Sequence, residues 1–70
     1  MSVDPNVVKK GYEAAVKAIH IRQLTSLSPA DETHIRAIVM HDTGLGPRKA
    51  KEIIDTLVEL GEVGRTEVVG

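Results

Sequence analysis

The chain has no cysteine, no tryptophan and no phenylalanine, and Tyr12 is its one aromatic residue. Without cysteine there can be no disulfide, no thiolate zinc site and no thiol nucleophile. The shortage of aromatic rings argues against the stacking platforms that bind single strands and RNA. It also requires an aliphatic core. An excess of charge of one sign is missing too: nine Lys and Arg stand against ten Asp and Glu, a net charge of -1. Dedicated nucleic-acid binders are usually clearly basic. Affinity for DNA would therefore need a local cluster of cations, and it would be modest and salt-sensitive. No apolar run approaches the length of a membrane span, and no signal-peptide core is present. A cytoplasmic protein with no membrane contact is expected.

What is there suits one small folded domain. Seventy residues, 41% of them hydrophobic, exceed the hydrophobicity of disordered chains but can bury only a modest core. A homodimer is the expected way to supplement that core.

Periodicity predicts three helices. Asp4 and Pro5 give a start signal for the first, about residues 5–24. Its inward stripe is Val8, Tyr12, Ala15, Val16 and Ile19. Ile21 and Leu24 fall off that stripe, so its end either turns apolar all round or bends. Gly11 weakens it by about 1 kcal/mol relative to Ala, a cost usually met where another backbone comes close.

The second helix, about residues 29–42, opens with Ser28 as N-cap, Pro29 at the first position, and Asp31 and Glu32 in the first turn. Ile35, Ile38 and Val39 form its stripe, and Gly44 can end it in a left-handed conformation. The third, about residues 47–60, runs from Pro47 to a stop at Gly61, with Ala50, Ile53, Ile54, Leu57 and Val58 at core spacing. Residues 62–69 are β-branched and punctuated by glycine. Two forms remain open for them. One is a hairpin turning at Gly64 and Arg65; the other is a single strand, Thr66 to Val69, pairing with another chain or with the loop before the second helix.

The stretch IRAIVMHDTGLGPRKAKEIIDTLVELGEVGR, residues 35 to 65, resembles the winged helix-turn-helix superfamily. Thr43, Gly44 and Leu45 match its turn. Ala50, Ile54 and Leu57 match the core of its recognition helix, and Leu60, Gly61, Val63 and Arg65 match the exit into the wing. The resemblance implies a mainly α fold: a three-helix winged helix-turn-helix with a short C-terminal β-hairpin or single strand. It carries fold better than function. The turn, with two glycines and a proline, is longer than the tightest version of the motif, and the wing is very short.

The third helix begins with cations, Arg48, Lys49 and Lys51, while Glu52, Asp55 and Glu59 come later. The macrodipole favours the reverse order, each cation costing about 0.3–1 kcal/mol at that end. In helix-turn-helix docking the N-terminal residues of the recognition helix enter the major groove. Arg48, Lys49, Lys51, Arg65 and Thr43 are therefore the candidate DNA-binding residues. The alternative is a solvated face in which Arg48 pairs with Glu52 and Lys51 with Asp55 at i, i+4. Lys9, Lys10, Lys17 and Arg22 read as ordinary surface charges.

Catalytic chemistry has no visible basis. Ser28 is better used as a cap than as a nucleophile, and GLGP reads as a turn and not a phosphate loop. His34 and His41 lie two helical turns apart, too far to share one metal ion directly. No enzyme activity, metal or cofactor is expected. The leading expectation is a small regulator of transcription or replication that binds double-stranded DNA as a homodimer through helix one. The alternative is a protein–protein assembly module without DNA binding, docking through helix one or the C-terminal strand.

Overall fold

The computed structural model describes residues 4–66. The element order is α1 (Pro5–Ile21), β1 (Ser26–Leu27), α2 (Pro29–Thr43), α3 (Pro47–Glu59) and β2 (Gly64–Arg65). The fold is mainly helical, with one short two-stranded sheet. It is compatible with a three-helix helix-turn-helix unit.

Each helix starts on local chemistry. The Asp4 carboxylate accepts from the Asn6 N–H at 2.8 Å, ahead of Pro5. At α2, the Ser28 hydroxyl accepts from the Asp31 N–H at 3.2 Å, and the Asp31 carboxylate accepts from the Ser28 N–H at 3.0 Å. This reciprocal capping box fills orphan donors that the first turn would otherwise leave open. The Ser28 N–H and then its hydroxyl, both bonded to the carboxylate, hold the Asp31 carboxyl below its usual pKa.

Helix α1 ends at Ile21, three residues before the expected Leu24. Two bonds explain the early stop: the Leu24 N–H reaches the Ile19 carbonyl at 3.0 Å, and the Gln23 N–H reaches the His20 carbonyl at 3.1 Å. They form a Schellman motif, and Gln23 takes its left-handed position at φ 55°. Leu24 then folds back onto the core. Ile21, off the inward stripe, is left 71% exposed.

The core is aliphatic. Leu27, Ile35, Val39 and Ile53 are its largest fully buried side chains, joined by Ala15, Ala18, Ile19, Ala50, Ile54, Leu57 and Val63. The inward stripes of α2 and α3 lie where periodicity puts them. On α1, Tyr12 and Val16 are only half-buried, while Gly11 and Ala18 are buried in their place. The inward face of α1 is therefore rotated toward small residues, which lets a neighbour approach closely. At Gly11 a Cβ would lie 2.6 Å from Ile53 Cδ1 and 3.5 Å from Val39 Cγ1. The close neighbour is thus a side chain of α3 and not a backbone.

Of the two forms open to the C-terminal segment, the structure takes the single strand. It pairs with the segment before α2, at an earlier register than expected. Gly64 and Arg65, assigned to a hairpin turn, are the strand itself, parallel to Ser26 and Leu27. The Gly64 N–H donates to the Thr25 carbonyl at 2.9 Å and the Thr66 N–H to the Leu27 carbonyl at 2.8 Å. A bend at 62–63 buries Val63 and leads straight into that ladder. The strand expected at Thr66 to Val69 lies, beyond Thr66, outside the described residues.

Replacing Gly11 with Ala should lower unfolding stability by about 1 kcal/mol. The overpacking cost of about 1–3 kcal/mol outweighs the gain of about 1 kcal/mol in helix propensity. Ile53→Val removes the clashing Cδ1. In urea unfolding, the double variant should therefore be at least ~1 kcal/mol more stable than the two single effects added. Strict additivity would show that the contact is not what keeps glycine at position 11.

Candidate nucleic-acid interface

The turn between α2 and α3 is three residues long: Gly44, Leu45 and Gly46. Gly44 sits at φ 75°, a left-handed conformation costly for residues with a Cβ, and its N–H closes α2 on the Met40 carbonyl at 2.8 Å. Leu45 packs against the core and anchors the turn. The Thr43 hydroxyl donates to the Val39 carbonyl at 2.6 Å and accepts from the Leu45 N–H at 3.1 Å. Thr43 therefore shapes the turn, with its hydroxyl engaged locally on a half-buried side chain.

The turn delivers α3 with Ala50, Ile53, Ile54 and Leu57 buried, and Arg48, Lys51 and Glu52 exposed. Its N-terminus differs in kind from that of α2. Gly46 is the N-cap and supplies no side-chain cap, no acid lies in the first turn, and Pro47 has no N–H to satisfy. The Arg48 and Lys49 N–H groups thus remain without a capping side chain at the positive end of the helix.

The acids behind the tip do not pair as their spacing suggested. Lys49, half-buried, donates to Glu52 Oε2 at 3.1 Å, an i, i+3 contact. Asp55 is held instead by Arg65 of β2. The expected pairs Arg48–Glu52 and Lys51–Asp55 are therefore not formed, because each acid has another partner. Among the described residues Arg48 and Lys51 enter no ion pair.

Arg65 has a different setting. Its Nη2 bonds Glu32 Oε1 of α2 at 2.8 Å and also Asp55 Oδ1 of α3. Those carboxylates, Asp55 first, raise its already high pKa. One guanidinium thus ties β2 to both helices of the helix-turn-helix unit. No feature of the local sequence signals this bridge, because its partners lie 10 and 33 residues away.

The remaining cations and histidines are dispersed. Arg22 Nη2 donates to His34 Nε2 at 2.7 Å, joining the end of α1 to α2. The exposed His41 lies 3.9 Å from Asp42. Among the described residues no group of three or more His, Asp or Glu could hold a metal ion. No described helix is long and apolar enough to cross a membrane.

Arg65→Ala should cost about 0.5–2 kcal/mol in urea unfolding, since two exposed ion pairs contribute about 0.2–1 kcal/mol each. The loss should shrink in high salt as the pairs are screened. An Arg65→Ala protein as stable as the parent at low salt would remove the bridging role. Comparisons with protein families, with curated proteins and with solved structures gave no match to this chain.

Proposed function

We propose that the protein binds double-stranded DNA in the cytoplasm, with the N-terminal tip of α3 as its contact surface, as a regulator of transcription or replication and not as an enzyme. One observation carries this reading: Arg48 and Lys51 stand exposed and, among the described residues, without ion pairs beside an uncapped helix N-terminus. Two free N–H groups and a cluster of cations are what a backbone phosphate needs. A net charge of -1 is no obstacle, because Arg65 holds Asp55, Glu52 offsets only Lys49, and the cations act locally. The three-residue turn and the buried opposite face of α3 hold the tip rigidly, which favours a contact of defined geometry. Lys49 is the lesser contributor, since Glu52 must release it. Thr43 supports the turn, and Arg65 acts as a structural bridge whose phosphate contact would require giving up two carboxylates.

A second reading is a protein–protein assembly module without DNA binding. The exposure of Ile21 at 71% and Leu60 at 69% favours it, since large apolar side chains left in water suit a protein partner.

Gel shifts with random duplex DNA at two salt concentrations separate the two. The variant Arg48→Ala, Lys49→Ala, Lys51→Ala should fold at least as stably as the parent, since each cation at that end costs about 0.3–1 kcal/mol. It should lose duplex binding at low salt. Any residual binding should have a log–log salt slope shallower by about 2–3. A parent chain that does not bind duplex DNA at low salt would favour the assembly reading. A triple variant that binds with unchanged affinity and slope would place the contact elsewhere.

A further inference from the structure

On α1 the core-facing side is formed by Gly11, Ala15, Ala18 and Ile19. Beside it runs an open, mainly apolar groove of about 490 Å³, lined by Tyr12, Glu13, Val16, Lys17, His20 and Ile21. Tyr12 and Val16 are half-buried, so each keeps part of its apolar surface in water, while Glu13 and Lys17 are exposed. Glu13 precedes Lys17 by four residues, the favourable order for a pair within one helix. No such pair forms, and among the described residues neither side chain enters any ion pair. Asp42 of α2 borders Lys17 across a second shallow groove but records no bond to it. An apolar strip is thus flanked by an unpaired acid and an unpaired base.

We propose that this face of α1 pairs with the same face of a second copy of the chain, the two helices running antiparallel about a two-fold axis. The charges choose the occupant and its direction. On a helix turning about 100° per residue, Tyr12 and Val16 share one line and Glu13 and Lys17 an adjacent one. An antiparallel two-fold that crosses near the level of Ala14 and Ala15 sets Tyr12 opposite Val16 of the second copy. It also sets Glu13 opposite Lys17 of that copy, and by symmetry does both twice. The two-fold that matches the apolar residues and the one that matches the charges lie about one residue apart along the helix, roughly 1.5 Å of rise. A parallel pairing would set Glu13 against Glu13 and Lys17 against Lys17. Such a self-complementary patch is what an isologous contact requires. The proposal does not rest on DNA binding, and mass and DNA affinity are read separately.

Charge reversal tests it on the full chain by sedimentation equilibrium at low salt, with circular dichroism confirming helix content. The parent should be a dimer. Glu13→Lys alone and Lys17→Glu alone should each weaken self-association by about tenfold or more, because both facing pairs become like-charged. An equimolar mixture of the two single variants should recover dimer, and so should the chain carrying both changes. Val16→Asn, which adds no charge, should give monomer through the apolar strip. A monomeric parent at sub-millimolar concentration would overturn the proposal. Single reversals that remain dimeric would overturn it too, as would a mixture that fails to recover dimer.

Discussion

The seating of Ile53 on Gly11 fixes the relation between α1 and α3, and through it the direction in which α3 presents its outer face. A β-carbon at position 11 would lie inside contact distance of Ile53 Cδ1. The glycine is therefore a socket, and Ile53 is 2% exposed within it. Around this contact, Ala15 and Ala18 keep α1 thin on its core side, and Val39 and Leu45 close the remaining space. In a core with no buried aromatic ring, small-to-large fitting of this kind replaces sheer side-chain volume. Because Ala50, Ile53, Ile54 and Leu57 share one face, burying it turns Arg48 and Lys51 outward.

The electrostatics then sort the two ends of the helix-turn-helix unit. At α2, Ser28 and Asp31 cap each other, and Glu32 in the first turn is held by Arg65, so that N-terminus is satisfied. At α3 nothing equivalent exists, and cations crowd an end that already carries partial positive charge. Had Glu52 and Asp55 paired with Arg48 and Lys51, two of the three cations at the tip would be neutralised. Lys49 and Arg65 take those acids, so the Arg65 bridge has two consequences. It secures β2 against both helices, and it withdraws Asp55 from the tip.

Much of the fold was legible because it is written in local terms. The helix starts at Pro5, Pro29 and Pro47, the capping serine, the stripes of α2 and α3, and the left-handed Gly44 all follow from residue type and spacing. The end of α1 was not legible, because Gln23 occupies a left-handed position where glycine is the usual signal. The same is true of the strand: Gly64 and Arg65 have the composition of a turn, and only pairing with Ser26 and Leu27 makes them a strand. At the candidate site the basic tip was visible in the order of charges. Its ion pairing was not, since i, i+4 spacing states which pairs are possible and tertiary partners decide which form. Leu27 and Val63 joined the core without a periodic signal because they lie outside helices.

The claim that the α3 tip is the contact surface is tested most directly by mapping amide chemical shifts of the isotope-labelled chain during titration with a short random-sequence duplex. Perturbations should concentrate on residues 46–51, with the Arg48 and Lys49 N–H groups among the largest, and should disappear as salt is raised. A titration that leaves those amides unmoved while perturbing α1 or β2, or that perturbs nothing at low salt, would contradict it.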